Sequence, residues 1–415
     1  MRPLLNAVLA RLVTRGRLTV RYPDGGTATY GTLPGPAVGF ALLDAAAVRG
    51  LVANPGLAFG ECYMDATLVP LGCDIHDVLE LLFLNMEAGG SHPVGALLER
   101  TRSLGRRIAQ FNPAGRAQRN VAHHYDLNGA LYSLFLDEDR QYSCAYFERG
   151  DETLEQAQLA KKRHIARKLL LRPGMEVLDI GCGWGGMAIT LAQEHGVRVT
   201  GITLSEEQLG VARARAHAAG LSDRVRFELA DYRSMDRVFD RIVSIGMFEH
   251  VGVNHYATFF ATIRRCLAGD GVALLHAIGR SDGPGATNPW LAKYIFPGGY
   301  SPALSEVFAA VERSGLYGTD CEILRLHYAE TLRHWRTRFA ASRVRVAALY
   351  DERFCRMFEF YLSACELTFR HQGHMVFQLQ LARRQDVVPM SRGYIADAQG
   401  RTLAAALRET AHAAD

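Results

Sequence analysis

The chain has 415 residues, 48% hydrophobic and 22% charged, with a formal net charge of +4. That length favours two domains around sizeable cores, and the composition excludes a disordered chain. No apolar run approaches the roughly 20 residues that span a bilayer, and the 8 cysteines show neither a CxxC pair nor paired Cys/His spacing, so no metal site is assigned.

In chain order, residues 1–13 are apolar and basic, but Arg11 interrupts them, Arg15 follows, and no small-residue cleavage site appears. This reads against a signal peptide. Residues 1–95 form a smaller α+β domain. Within it, 17–22 (RLTVRY) and 27–30 are expected to make a hairpin around Asp24-Gly25-Gly26, and 77–85 (DVLELLFLN) an apolar helix. Arg2, Arg11, Arg15, Arg17 and Arg21 crowd the start. Arg100, Arg102, Arg106, Arg107, Arg116 and Arg119 crowd a basic linker over 96–120, which carries Asn112-Pro113-Ala114-Gly115. Such clusters attract anionic lipid headgroups or nucleic acid, and a solvated surface explains them equally well. Cys62, Cys266 and Cys365 lie among apolar neighbours, which suits reduced thiols in a cytoplasmic setting.

From 121 to 400 the pattern changes. A helix over 154–171 leads through Pro173-Gly174 into a strand over 176–180, a helix over 185–195 and a strand over 198–203. Ser205 and Gln208 form a capping box for a helix through His217. Strand 225–229, a helix around Met235, strand 241–245, helix 256–267 and strand 271–278 continue the alternation. The expected fold is α/β and Rossmann-like, a mostly parallel sheet with helices on both faces. Residues 375–381 (MVFQLQL) alternate apolar with polar and fit an antiparallel closing strand, before an Ala-rich tail over 401–415.

The most informative turn is Asp179-Ile180-Gly181-Cys182-Gly183-Trp184-Gly185-Gly186. Glycines between a strand and a helix let the backbone bend tightly and approach a ligand. A dinucleotide would need bare backbone and a helix N-terminus for its pyrophosphate. Here the spacing is GxGxG and a carboxylate precedes it, which suits S-adenosylmethionine (SAM): it has no phosphate, and its cationic aminoacyl end tolerates Asp179. Gly181, Gly183 and Gly185 therefore read as cofactor positions. Thr203, Leu204 and Gln208 read as the ribose edge, and Asp231 with Tyr232 as the adenine edge. Asp231 is equally a plain helix cap.

Several stretches together resemble the cyclopropane-fatty-acyl-phospholipid synthases and the related mycolic acid cyclopropane synthases. They are 124–127 (HYDL), 141–147 (QYSCAYF), 177–186, 201–208 (GITLSEEQ), 240–252 (DRIVSIGMFEHVG), 275–279 (LHAIG), 294–299 (YIFPGG) and 360–370 (FYLSACELTFR). Residues 60–65 (GECYMD) match the extra N-terminal domain of the bacterial phospholipid-acting enzymes more loosely. The resemblance implies a class I SAM-dependent methyltransferase sheet and methylene transfer from SAM to the cis double bond of an unsaturated phospholipid acyl chain. It also implies a bound bicarbonate as the base, held by Cys144, Glu249, His276, the Ile278 backbone N–H and Tyr361, and SAM contacts at Tyr142 and Ser143. Where the mycolic enzymes carry a Trp-Glu pair this chain has Tyr232-Arg233, and Arg233 is not assigned. Taken singly, Cys144 reads as a buried thiol, His276 as a core histidine, Glu249 as a helix cap and Tyr361 as core. Only their joint occurrence within matching motifs favours a site.

An alkene is a weak nucleophile, and the cation formed by methylating it must be kept from water and then lose a proton. An incomplete base site would instead give methyl-branched, methylene or hydroxylated fatty acids, and small-molecule N-methylation is a further alternative on the same scaffold. The reading places the protein on the inner face of the cytoplasmic membrane, without nucleic acid. The N-terminal domain is assigned either to anionic lipid or to homodimerisation.

Overall fold

The computed structural model describes residues 1–90, 92–98, 101–102, 110 and 129–396. Most of the basic linker, the 124–127 motif and the 401–415 tail fall outside these residues.

The N-terminal domain opens with a helix not foreseen from sequence, α1 (Arg2–Leu12), whose Leu5, Leu9 and Leu12 turn inward. Strands β1 (Arg15–Arg21) and β2 (Thr27–Tyr30) form the expected antiparallel hairpin. Leu18 and Val20 are buried while Arg15, Arg17 and Arg21 face out, the period-two pattern of a half-buried strand. The sheet gains β3 (Leu33–Leu42), parallel to β1, and β4 (Leu68–Pro70). Helices α2 (Ala45–Ala53), α3 (Pro55–Met64) and α4 (Ile75–Glu87) cover it, α4 starting in a full Asp74/Asp77 capping box.

The second region begins at α5 (Gly129–Phe135) and α6 (Leu154–Lys168) and is built on seven strands. Five are parallel: β5 (Glu176–Ile180), β6 (Arg198–Thr203), β7 (Val225–Leu229), β8 (Phe239–Ile245) and β9 (Leu267–Arg280). Antiparallel β10 (Tyr317–Ile323) and β11 (His374–Ala382) close the edge in the order β10-β11-β9-β8-β5-β6-β7. Helices α7 (Gly186–His195), α8 (Glu206–Ala218) and α9 (Tyr256–Cys266) make the crossovers. This is the α/β, Rossmann-like and mostly parallel sheet expected from the sequence.

Two expectations are corrected. The helix around Met235 is a single 3₁₀ turn, Tyr232–Ser234. The Ser205 capping box is half made: Ser205 accepts the Gln208 N–H, but the Gln208 side chain turns to Thr203 instead. The antiparallel strand expected over 375–381 is β11, and its Gln378 and Gln380 are both fully buried.

The two regions share one apolar core, in which Leu5, Phe40 and Met64 join Trp290, Phe358 and Tyr361. The 60–65 motif lies at this seam. A Cβ on Gly60 would meet Trp290 at 2.4 Å and Phe360 at 2.8 Å, so only glycine fits. Trp290 donates to the Met64 sulfur at 3.2 Å, Tyr63 donates to Glu359, and Asp65 accepts from Arg353. These contacts brace helix α14 (Glu352–His371), which follows α10 (Pro289–Tyr294), α11 (Leu304–Ser314), α12 (His327–Ala341) and α13 (Arg343–Leu349).

Candidate active site

β5 lies between β8 and β6, where the strand order reverses, and the glycine turn leaves its C-terminal end. Crevices open at such switch points. Gly181, Gly183 and Gly185 all have positive φ, at 81°, 53° and 83°. Their surroundings differ. A Cβ on Gly183 would meet nothing within 4 Å, whereas one on Gly181 would strike the Met247 side chain at 2.8 Å and one on Gly185 the Phe227 ring at 2.6 Å. Gly181 and Gly183 line the crevice; Gly185 does not. The assignment of Gly185 to the cofactor is corrected: it is absent from the wall because its role is close packing of α7 on the sheet.

The crevice is lined by every other residue expected at the cofactor: Tyr142, Ser143, Asp179, Gly181, Gly183, Thr203, Leu204, Gln208, Asp231 and Tyr232. Asp179 is buried and its Oδ2 has no hydrogen-bond partner. Burial pushes its carboxyl up to about 7, against the opposing pull of Lys161. Such an orphaned acceptor fits a cationic donor. Thr203 donates to Gln208 Oε1 at 2.8 Å, so the Gln208 amide presents its N–H groups elsewhere. Asp231 is less available than expected. Arg233, itself in the wall, donates to it through Nε at 2.9 Å and Nη2 at 2.6 Å, and Asp231 also caps the 3₁₀ turn.

The segment 141–144 divides this crevice from a second cavity. Tyr142, Ser143, Gly246 and His250 line both, while Cys144, Glu249, His276 and Ile278 line only the second. Helix α6 holds the segment from behind. Lys161 donates to Gln141 Oε1 at 2.7 Å and to Ser143 Oγ at 2.9 Å, and Gln158 donates to the Ser143 carbonyl at 2.9 Å. Lys161 is fully buried, and that burial lowers its ammonium to about 8 despite Asp137 nearby.

In the second cavity Glu249 sits on a 3₁₀ turn, Phe248–His250, just beyond β8. Its Oε1 accepts the Ile278 N–H at 2.6 Å, and its buried Oε2 has no partner. The Ile278 N–H, expected to face an oxyanion, is thus directed at Glu249. Burial raises the Glu249 carboxyl to about 7, the Ile278 hydrogen bond opposing. His276 is held neutral, its pKa well below the ordinary value through burial and the charges of Lys161 and Lys168. Burial keeps Cys144 a thiol, which donates to the Ala145 carbonyl at 3.2 Å. Tyr361 stands just behind the wall; its hydroxyl bonds the Tyr142 hydroxyl at 2.8 Å and its ring packs edge-on against Phe296. Phe296, Tyr300, Tyr328 and Phe369 supply aromatic faces.

Sequence reasoning missed Lys161, Gln158, Lys168, Gln378 and His250. A basic helix reads as surface, yet Leu154, Ala157, Lys161, Ile165 and Lys168 follow a three-to-four-residue spacing on one buried face. That stripe was the available signal.

Comparison with known proteins agrees with this geometry. The family model for mycolic acid cyclopropane synthetase matches residues 113–379. A second model, a domain of unknown function, matches 4–89. The chain is 43% identical over 257 residues to a probable fatty acid methyltransferase of Pseudomonas putida, covering 60% of this chain and 65% of that protein, just under two thirds of its length. It is 40% identical to the cyclopropane-fatty-acyl-phospholipid synthase of Escherichia coli K12, over 79% of this chain and 83% of that one. Among solved structures, mycolic acid cyclopropane synthase CmaA1 complexed with SAH and CTAB superposes with a TM-score of 0.61 at 35% identity, covering 66% of this chain and 99% of that one.

Proposed function

We propose that this site cyclopropanates lipid acyl chains, proceeding from the fact that the chain belongs to the mycolic acid cyclopropane synthetase family and is a SAM-dependent methyltransferase of the cyclopropane synthase type. The substrate we infer is an unsaturated phospholipid, and the proton acceptor a bound bicarbonate. The observation that carries this reading is the meeting of the two cavities at Tyr142, Ser143, Gly246 and His250. A cofactor in one thereby abuts an aromatic-walled chamber in the other.

The residues present fit both groups. Asp179 Oδ2 is an orphaned acceptor for the cationic end of the cofactor, Gly183 leaves open space beside it, and Gln208 turns amide N–H groups outward. In the second cavity Glu249 Oε2 is the orphan, and a carboxyl raised to about 7 is protonated in an appreciable fraction of molecules at neutral pH. A protonated Glu249 can donate to an oxyanion instead of repelling it, and neutral His276 can donate as well. When bound, SAM supplies an electrophilic methyl group and bicarbonate a proton acceptor. The chain does the rest: Lys161 fixes the 141–144 segment between the two, and the aromatic walls exclude water and face a cationic intermediate.

A phospholipid needs more room than the second cavity offers. A larger cavity of about 720 Å³ opens between the N-terminal helices and α10 and α14, lined by Leu9, Phe59, Leu82, Phe83, Trp290 and Phe360. It shares Thr287, Leu291, Tyr300, Ser301, Thr368 and His374 with the second cavity, so the two cavities adjoin. Arg11, Arg15, Arg17 and Arg21 are exposed on the same N-terminal domain, which supports contact with an anionic bilayer. Among the described residues no helix is long and apolar enough to cross a membrane.

Incubation with methyl-labelled SAM and vesicles of unsaturated phospholipid tests the reading. Acyl chains heavier by one CH₂ and resistant to hydrogenation are expected. A reducible product would indicate methylenation or a methylated alkene, and would align the chain with the probable fatty acid methyltransferase of Pseudomonas putida. Turnover unchanged in buffer stripped of carbon dioxide would refute the bicarbonate role.

A further inference from the structure

His276 is a donor to an anion only if the proton of its neutral ring sits on the nitrogen facing the cavity, and a neutral imidazole carries one N–H that either nitrogen can hold. Its Nδ1 lies 3.2 Å from Gln378 Nε2, and Nε2 has no hydrogen-bond partner among the described residues. The side-chain amide of a glutamine can be turned either way, so this contact alone does not choose a tautomer. The choice is made one residue further back. Lys168 Nζ donates to Gln378 Oε1 at 2.9 Å, and an ammonium has no lone pair to offer the opposite amide orientation. Gln378 must therefore keep its oxygen toward Lys168 and its NH₂ toward His276.

We propose that Lys168 and Gln378 act as a positioning pair that locks His276 in the Nε2–H tautomer, with Nδ1 as acceptor and the N–H directed to the second cavity. Neither residue touches substrate. The far end of the relay is anchored too. Lys168 donates to Glu322, and His164 Nε2 lies 2.6 Å from the same Glu322 oxygen. Burial pushes the Glu322 carboxyl up, but the His164 hydrogen bond and the Lys168 charge outweigh it and hold the group at about 2. Burial lowers the Lys168 ammonium from its ordinary value, and the Glu322 carboxylate opposes that shift and pins the group. Full burial of Lys168 and Gln378 denies both groups water as an alternative partner, so no other arrangement satisfies them. Their placement on α6 and β11 explains why a lysine and a glutamine interrupt otherwise apolar buried faces. It also parallels the ordering of catalytic imidazoles by a partner on the opposite ring nitrogen.

The inference rests on the reading of the second cavity as an oxyanion site, but its test does not. Full-length protein labelled with ¹⁵N-histidine is examined by long-range ¹H–¹⁵N correlation at pH 7, His276 being assigned by the signals missing in His276→Asn. The expected result is a protonated Nε2 and a bare Nδ1. An Nδ1–H tautomer, a tautomer mixture or an imidazolium in the wild-type protein would overturn the proposal, with no variant needed. Gln378→Glu replaces the donating NH₂ by a second acceptor and is expected to draw a proton onto Nδ1. It should lower kcat about 10- to 100-fold with the KM for SAM within twofold. Lys168→Met frees the amide to flip and should give both tautomers, while Lys168→Arg retains a donor and should restore the single one. A Lys168→Met spectrum identical to wild type would also overturn the relay. If the tautomer is as expected but turnover proves independent of bicarbonate, the relay stands and the proposed base fails.

Discussion

The two cavities are made differently. The cofactor crevice is formed by consecutive strand ends of one sheet. It uses backbone, two glycines and short polar contacts between near neighbours, such as Thr203 with Gln208 and Asp231 with Arg233. The second cavity is formed by side chains from the turn beyond β8, β9, the 141–144 segment, α10 and α14, and its Glu249 is buried with Oε2 unsatisfied, as Asp179 Oδ2 is in the crevice. A crevice of the first kind can lose one contact and still bind. A chamber of the second kind depends on the ionisation of single groups, because desolvation makes each of them costly to misplace.

Glu249→Gln is the largest expected break in this comparison. It keeps the shape and the acceptor for the Ile278 N–H but removes the titrating proton. The cyclising kcat should fall about 10²- to 10⁴-fold, while SAM affinity by calorimetry stays within about threefold of wild type. The same variant reads the buried charge. Glu249 and Asp179 are both raised to about 7 in the folded protein, from 4.5 and 3.8. Raised carboxyls contribute stability that is fully present below their ordinary values and is lost as pH rises through about 7. Histidines lowered by burial, such as His250, His276 and His374, contribute in the opposite sense, so the difference between the two proteins is read: the denaturant midpoint of the wild type relative to Glu249→Gln should decline between about pH 4 and 7.

Lys161→Met attacks the hinge between the cavities. It leaves Gln141 and Ser143 without their buried donor, and hydrogen bonds to a charged group are worth about 1.5–3 kcal/mol. A fall in kcat/KM of about 10- to 100-fold is expected, with weaker SAM binding as well, since the 141–144 segment walls both cavities. An effect on kcat alone would mean that the segment serves only the second cavity.

The glycines sharpen the contrast inside the first crevice. Gly185→Ala, against Phe227, should cost about 1–3 kcal/mol of stability by denaturant unfolding, with SAM affinity little changed among folded molecules. Gly183→Ala meets open space but must hold the positive φ of 53°, so a strain cost of about 1 kcal/mol is expected alongside a fall in SAM affinity. The smallest effect is expected for Gln208→Ala. Loss of one neutral contact should raise the SAM Kd about five- to tenfold, roughly 1–1.4 kcal/mol.

Much of this architecture could be read along the chain. The strand–helix alternation from 176 to 278, the hairpin at 17–30 and the bend at 181–185 are set by side-chain periodicity and by positive φ angles, properties that residues a few positions apart impose on one another. Most cofactor positions were legible for a related reason, since they follow strand ends, and all of them but Gly185 reach the crevice, whereas Tyr142, Ser143 and the residues of the second cavity were legible only through the resemblance to known enzymes. Only the tertiary structure decided that Gly185 packs on Phe227, that the Tyr361 hydroxyl bonds Tyr142 from 219 residues away, and that the Ile278 N–H is directed at Glu249. It alone buried Lys161 and Lys168 on a helix that reads as basic surface, and joined Lys168 to Gln378 across 210 residues. The physical reason is common to these cases. A polar group can be buried only where a complementary partner awaits it, and that partner lies on another element whose position the local sequence does not encode.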